Sequence, residues 1–391
     1  MLTIGKHFLP ESSPYEGVSL YFHIPFCSRK CDYCHFYVLP DKEDLKKQLL
    51  KGFSLEWERM LPLLKDKTVT SIYFGGGTPF LFGPERIASV LQWIKSSLSF
   101  TTPTIEITLE VNPENIEFDV IQAYAQAGIN RVSIGIQTLD AHLLTLLGRQ
   151  HSPTKALEAV EIAYRAGVPN ISIDLMYDLP KQSIIHWENT LERIRDLPIT
   201  HLSLYNLTIE PHTLFFKRQA ELKPLIPDEE ISLHMYEMAV EKLTDQGLVQ
   251  YEISAFAKPN FHSRHNSGYW TARPFIGYGP SAYSYWEGSR FRNVAHLGKY
   301  VAALEDSRSP VDFEEKLDPQ ARRRELLVIQ LRLLGGVRLD RFESNYGPLD
   351  QHTHQVIQTL IQDGLLNKEN NVLRLSKRGI LFYDSVATDL I

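Results

Sequence analysis

Ser19-Leu-Tyr-Phe-His-Ile-Pro-Phe-Cys-Ser-Arg-Lys-Cys-Asp-Tyr-Cys-His-Phe-Tyr37 decides how the rest of this 391-residue chain is read. Its first half has the period of a β-strand, with Leu20, Phe22 and Ile24 alternating with Tyr21 and His23. Pro25 has no N–H to give to a ladder and ends the strand. Cys27, Cys31 and Cys34 follow in a C-x3-C-x2-C spacing, and they are the only three cysteines in the chain. A long chain that places every thiol in one short loop is gathering them in space.

Three neighbouring thiolates suit a metal or an iron–sulfur cluster. A disulfide would leave one thiol over, and clustered cysteines in a cytosolic-looking chain are more often metal ligands than bridges. Zinc could take the three cysteines with His23 or His35. Structural zinc sites, however, usually split their ligands into two separated pairs, and no second pair exists here. Fully protein-ligated clusters use four cysteines. Three on a [4Fe–4S] cube would leave one iron open to an outside ligand, and this reading outweighs zinc.

Composition sets the frame. Hydrophobic residues make up 43%, enough for an ordinary core, and 41 Lys+Arg against 47 Asp+Glu give a net charge of −6. An acidic balance argues against general nucleic-acid binding. No run approaches the ~20 apolar residues of a membrane span, and Met-Leu-Thr-Ile-Gly-Lys-His at the start lacks a signal-peptide core. The expectation is a soluble cytoplasmic protein with no integral membrane segment, a compartment that keeps thiols reduced.

Residues 1–18 read as a lead-in. Strands are expected from Ser19, at Thr68 to Phe74, Thr104 to Val111, Arg131 to Gln137, Ile171 to Tyr177 and His201 to Leu207. Helical patterns lie between most of them: Asp41 to Leu64, Pro84 to Leu98, Ile116 to Ala127, Pro153 to Ala166 and Ser183 to Leu197. Such alternation predicts an α/β fold of parallel βαβ units. Asp228 to Gln246 reads as a helix and Val249 to Phe256 as one strand. Pro259 to Trp286, rich in aromatics, Gly and Pro, reads as a functional loop region. From about Ala302 a helix, a second helix, a hairpin around Asn370 and a last helix predict a small winged-helix-like domain. The expected domains are therefore 1–18, 19–300 and 301–391.

Polar residues fall at or beyond the strand ends. Gly75-Gly76-Gly77-Thr78-Pro79 permits close backbone approach to a ligand and lacks the Gly-Lys-Ser/Thr ending of a phosphate loop. Glu110, Gln137, Arg149, Asp174 and Thr208 mark the later ends. Any one of these taken alone is a turn, a cap or a surface charge.

With the cysteine spacing, the context Tyr21-Phe22-His23-Ile24-Pro25-Phe26-Cys27 resembles the radical S-adenosylmethionine (SAM) superfamily, in the family of oxygen-independent coproporphyrinogen III oxidase. Resemblance implies a partial (β/α)6 radical SAM barrel, with the active site at the C-terminal ends of the strands, a [4Fe–4S] cluster on Cys27, Cys31 and Cys34, and SAM on its open iron. It implies contacts to SAM or a SAM-like ligand from Tyr21, Tyr33, Gly76, Gly77, Thr78, Glu110, Gln137, Arg149, Asp174 and Thr208. The motifs are Leu-Glu-Val-Asn-Pro, Gly-Ile-Gln-Thr-Leu, Leu-Gly-Arg-Gln-His, Ile-Asp-Leu-Met-Tyr and Asn-Leu-Thr-Ile.

Within the family, His265-Asn266-Ser267-Gly268-Tyr269-Trp270 resembles the HemW heme-chaperone branch, as do Glu252-Ile253-Ser254 and Gly277-Tyr278-Gly279-Pro280-Ser281-Ala282. An imidazole beside two aromatic faces suits a porphyrin, so His265 is the expected heme ligand. Phe36 stands where the oxidase pattern has a fourth cysteine, and the chain reaches its first cysteine sooner than the oxidase does. His35 departs from the Asp usual in HemW sequences. The resemblance thus implies a porphyrin-metabolism protein that binds heme and passes it to an acceptor protein, has an electron donor for its cluster and lacks coproporphyrinogen oxidase activity. A homodimer is left open, and a radical SAM enzyme acting on a porphyrin is the competing class.

Overall fold

The structure is a computed structural model that describes residues 17–100 and 105–391. Most of the expected lead-in (1–16) and Thr104 of the expected third strand lie outside the described residues. Six strands appear where the alternation placed them: β1 Val18–Ile24, β2 Thr68–Gly76, β3 Glu106–Val111, β4 Arg131–Gln137, β5 Asn170–Tyr177 and β6 His201–Asn206. Each pairs in parallel with the next. Helices Glu43–Leu64, Pro84–Ser97, Phe118–Ala127, Pro153–Arg165 and Ile184–Arg193 connect them. Their starts follow from local chemistry. Pro84 and Pro153 open their helices, and the Ser152 and Ser183 hydroxyls cap the N–H groups of Lys155 and His186, donors the helix itself leaves unpaired.

The sheet does not close. Beyond β6 it continues as an antiparallel hairpin, Val249–Glu252 and Ala255–Ala257. Beyond β1 a further parallel strand, Phe275–Tyr278, is followed by antiparallel strands to Val311–Lys316. It is a partial barrel, as expected.

Three details differ from the expectation. The single strand over Val249 to Phe256 is a hairpin, because the chain reverses at Ile253-Ser254, where the Leu204 amide donates to the Ser254 carbonyl. The loop region Pro259 to Trp286 is mostly regular, holding helix Arg264–Trp270 and strands Phe275–Tyr278 and Tyr283–Trp286. Its aromatics divide: Tyr278 joins the main core, Tyr285 packs on the C-terminal core and Tyr283 is exposed. The boundary expected at 300/301 falls inside the large sheet, since Val311–Lys316 pairs with Ser289–Asn293. A second core around Leu327, Leu331, Phe342, Leu360 and Leu373 belongs to the C-terminal unit. That unit has the expected winged-helix pattern, with helices Pro319–Leu331, Leu339–Tyr346 and Gln351–Gln362 and a small three-stranded sheet. Its hairpin turns at Asn370 and Asn371, both at positive φ (48° and 63°), the conformation a two-residue type I′ turn needs and Asn tolerates.

Alternation along the strands separates two environments. Phe22, Ile72, Leu109, Ile134, Ile173 and Leu202 face the helices and join the main core. The intervening residues face inward and are polar: Ser19, Tyr21 and His23 on β1, Ser71 and Tyr73 on β2, Thr108 and Glu110 on β3, Arg131 and Ser133 on β4, Ser172 and Asp174 on β5, His201 and Ser203 on β6.

Outside the barrel, Glu56 of the first helix is a buried tie. It accepts hydrogen bonds from the Gly279 amide (2.8 Å), Asn293 Nδ2 (2.6 Å) and the Tyr300 hydroxyl (2.6 Å). Burial pushes its carboxyl up to about 7, although these donors pull the other way. The folded state therefore holds a proton that the unfolded chain releases above pH 4.5. This contribution is complete below pH 4.5 and is lost as pH rises through 7. Relative to Glu56→Gln, the parent is expected to lose on the order of 2 kcal/mol between pH 5 and pH 8 in urea unfolding. A difference that does not change with pH would contradict the assignment.

Candidate metal centre and ligand chamber

Parallel pairing brings the C-terminal ends of β1 to β6 to one end of the barrel, and the cysteine loop leaves β1 there. The glycine run that ends β2 is shaped first by the protein's own packing. Gly76 has φ +122°, and a Cβ on it would lie 2.8 Å from the His23 ring; one on Gly77 would lie 2.7 Å from the Phe26 carbonyl oxygen. The Gly77 and Thr78 amides donate to the Ile24 and Phe26 carbonyls (2.9 and 2.6 Å). These bonds fix the start of the cysteine loop.

Cys27, Cys31 and Cys34 are free and half-buried. A continuous chain of side chains joins two of them. Cys27 Sγ lies 3.6 Å from the Thr78 hydroxyl, Asn112 Nδ2 donates to that hydroxyl (3.0 Å), Arg149 Nη2 donates to Asn112 Oδ1 (3.0 Å), and Arg149 Nη1 donates to Cys31 Sγ (3.5 Å). Arg149 also holds the Gly135 carbonyl at 2.5 Å. Burial pushes the Cys27 thiol up to about 11 and raises Cys34 as well, against the pull of Thr78 on the first and the Phe36 backbone on the second. A metal or cluster has to displace these protons to bind. Among the described residues no group of three His, Cys, Asp or Glu is arranged for a single metal ion. The donor set of three thiolates on one loop, with a guanidinium and a hydroxyl against the sulfurs, fits an anionic iron–sulfur cluster.

Beneath the loop lies a chamber. Tyr205 leaves 45% of its surface free, yet surrounding protein desolvates its phenol and raises its pKa. Inward-facing Tyr21, Tyr73, Glu110 and Asp174 are likewise only part-buried, which leaves space between the walls. Glu110 lies on the same wall, accepting from the Tyr73 hydroxyl (2.8 Å) and the Gly76 amide (3.0 Å). Burial raises Glu110 to about 7 and Asp174 to about 6, with Tyr73 easing the first and Ser203 the second. The Tyr21 hydroxyl meets His23 Nδ1 at 3.0 Å, and burial lowers His23 to about 4, so this imidazole is neutral at pH 7. Gln137 sits at φ +68°, and a Cβ on Gly135 would fall 3.0 Å from its Nε2 and 3.4 Å from Arg149. Tyr33 packs its ring edge on Phe215, and Thr208 is exposed just past β6. The expected residues Tyr21, Tyr33, Gly76, Gly77, Thr78, Glu110, Gln137, Arg149, Asp174 and Thr208 thus all belong to the C-terminal end or upper wall of the barrel.

His265 does not. Helix Arg264–Trp270 closes the opposite end, where Glu106 accepts from the Arg264 and His265 amides (2.8 and 2.9 Å). Ser71, five residues before Gly76, marks that floor, about 17 Å along β2 from the glycine run. His265 is 1% exposed. Its Nδ1 meets the Ser71 hydroxyl (3.0 Å) and its Nε2 the Tyr269 hydroxyl (2.8 Å). Ser71 donates onward to Ser19 (2.9 Å), so Nδ1 carries the proton and Nε2 accepts from Tyr269, an assignment that follows from the network. Burial, with the charges of Arg273 and Arg131, lowers the imidazole to about 3. To reach an iron, this ring would have to give up Tyr269 and leave the floor. The other half of the motif has a packing role too. Arg332 of the C-terminal unit lies over the Trp270 ring (4.2 Å) and reaches Glu252 (3.4 Å) and Ser254 (3.3 Å). His-Asn-x-x-Tyr-Trp and Glu-Ile-Ser therefore join the barrel floor to the second domain.

The comparisons with known proteins agree with this architecture. The Radical SAM superfamily model matches residues 21–194, and the HemN C-terminal domain model matches 317–382. Heme chaperone HemW of Bacillus subtilis is 31% identical over 94% of this chain and 97% of its own. The Haemophilus influenzae protein of that name is 33% identical over 97% of this chain and 98% of its own. This chain belongs to the HemW family of radical SAM proteins. Coproporphyrinogen III oxidase (HemN) from Escherichia coli, described as a radical SAM enzyme, superimposes with a TM-score of 0.83 over 97% of this chain and 91% of that one, at 22% identity; it shares the fold. No described helix is long and apolar enough to cross a membrane.

Sequence reasoning missed Asn112, Arg131, Tyr73 and Tyr205. Asn112 stood in the Leu-Glu-Val-Asn-Pro motif, but only the fold shows it spanning Thr78 and Arg149. Two outcomes follow. Asn112→Ala is expected to weaken iron retention about 10-fold under a chelator challenge, with the unfolding midpoint near that of the parent; unchanged retention would show the bridge to be idle. His265→Ala leaves Ser71 and Tyr269 without their partner in a buried site, and is expected to cost about 2–4 kcal/mol of stability. An unchanged urea midpoint would contradict this packing role.

Proposed function

We propose that this chain is a heme chaperone that holds a [4Fe–4S] cluster on Cys27, Cys31 and Cys34, binds SAM in the chamber, binds heme and passes it to an acceptor protein in the cytoplasm. The observation that carries this reading is the three-thiol loop, bridged by Thr78, Asn112 and Arg149, above a polar chamber in a chain related to heme chaperones over nearly its whole length. When bound, the cluster supplies one-electron redox chemistry and an iron without a protein ligand. The rest is the work of the chain. Arg149 offsets the negative charge of the thiolates. Glu110 and Asp174, each with lone pairs left after their protein partners, suit the hydroxyls of a ribose. Tyr21, Tyr33, Gln137 and Thr208 complete the wall, and Gly76 and Gly77 keep the β2 end low enough for a ligand to lie against it.

His265, held by Ser71 and Tyr269, keeps the barrel floor shut in this reading. Phe36 at the fourth-cysteine position of the oxidase pattern favours chaperone over oxidase. Anaerobic reconstitution is expected to give about four irons per chain, and Cys31→Ala should lose most of them. The loaded protein should shift the heme absorption band on mixing, and should not convert coproporphyrinogen III. Tight zinc without iron uptake would sink the cluster, and robust turnover of coproporphyrinogen III would make the protein an enzyme.

A further inference from the structure

A cavity of about 230 Å³ lies where the last hairpins of the large sheet meet the C-terminal unit. Gly288 and Lys316 line it from the sheet, Arg322 and Arg323 from helix Pro319–Leu331, and Asn345 and Tyr346 from the end of helix Leu339–Tyr346. Local geometry fixes both guanidinium groups. Glu287 and Gly288 form the two-residue turn between Tyr283–Trp286 and Ser289–Asn293, at φ 49° and 83°, the pattern of a type I′ turn. Arg322 lies against that turn, since a Cβ on Gly288 would fall 2.8 Å from its Cζ, and its Nε donates to the Tyr285 hydroxyl (3.3 Å). Arg323 Nη1 donates to the Tyr346 carbonyl (3.5 Å). Each guanidinium has five N–H groups, so donors remain after these bonds. The carboxylates nearby are committed elsewhere. Glu315 and Glu325 both pair with Arg290, and Asp318 accepts from the Gln320 and Ala321 amides (2.9 and 3.0 Å). Among the described residues no ion pair includes Lys316, Arg322 or Arg323. Three cations around one hollow repel one another until an anion joins them.

We propose that this cavity binds a small phosphate monoester of the sugar-phosphate class. A carboxylate is satisfied by a single guanidinium fork. A phosphate monoester carries close to two negative charges and three acceptor oxygens, enough to engage two guanidinium groups and an ammonium together. At about 30 Å³ for each water-sized group, the cavity also has room beyond the phosphate for a short polar body. Asn345, with both a donor and an acceptor on its amide, borders that room. A ligand seated here touches the sheet and two helices of the C-terminal unit at once, so its binding ties the two units together. Neither the cluster nor heme enters this inference.

The test is calorimetric titration of the full chain with ribose 5-phosphate, inorganic phosphate and succinate. Ribose 5-phosphate is expected to bind, with an affinity that falls as salt rises. Inorganic phosphate should bind severalfold more weakly, and succinate more weakly still. Arg323→Gln should weaken ribose 5-phosphate about tenfold, the loss of a charge-assisted hydrogen bond. Lys316→Gln, at an exposed strand end, should weaken it severalfold and carries the test if the arginine variant fails to fold. Saturating ribose 5-phosphate should also raise the unfolding temperature of the parent, and raise it less in both variants. No binding to the parent would overturn the proposal. So would an affinity unchanged in Arg323→Gln and Lys316→Gln, which would place the ligand elsewhere. Succinate or inorganic phosphate bound as tightly as ribose 5-phosphate would overturn the ligand class.

Discussion

The register between β1 and β2 is the constraint on which the molecule depends. Tyr21 lies beside Tyr73, His23 beside Gly75 and Ile24 beside Gly76. Because the pairing is parallel, the cysteine loop and the glycine run leave the sheet at the same end. Only this register lets the Gly77 and Thr78 amides catch the Ile24 and Phe26 carbonyls. A slip of one residue would turn Tyr21 and His23 into the helix layer and Phe22 into the chamber. Stacking of Phe22 on Tyr278 (centroids 4.7 Å apart) holds the register from the other side.

A barrel lined by polar groups is expensive unless those groups satisfy one another. Here Ser19, Ser71, His265 and Tyr269 form one run at the floor, and Ser172, His201 and Tyr251 another. Not every inward group is satisfied: among the described residues Arg131 Nε and Thr108 Oγ1 near the floor, and His23 Nε2 and Arg149 Nε near the strand ends, meet no partner. Glu110 and Asp174 are raised by burial toward neutrality. Buried polar atoms without partners suit a polar ligand. The sealed floor also keeps water from entering behind whatever the chamber holds.

Much of this was legible in the sequence because period-2 alternation and punctuation by Pro and Gly act locally. Arg131 to Gln137 matched its strand at both ends, and the Asn370 turn was correct because two residues at positive φ favour Asn. The cysteine loop and the polar strand ends were legible for the same reason: in a parallel α/β fold the C-terminal ends of the strands must meet. What the sequence could not show were contacts between distant segments. The His265 motif reads as a ligand beside aromatics, and only the fold reveals Ser71 and Tyr269 already holding both nitrogens. Val311 to Lys316 looked like part of the second domain because its strand partner lies two elements away. Asn112 was invisible as a bridge because Thr78 and Arg149 are 34 and 37 residues from it.

The central proposal is that Cys27, Cys31 and Cys34 would hold a cluster with one iron left without a protein ligand, at the end of the barrel that carries Glu110 and Asp174. The most direct measurement is the electron paramagnetic resonance spectrum of the reduced, reconstituted protein, recorded with and without SAM. Coordination of SAM at an open iron should shift the g-values of the cluster signal, and Asp174→Asn should weaken that response without removing the signal. A cluster signal indifferent to SAM would contradict the account, because it would mean that every iron already has its ligands from the protein.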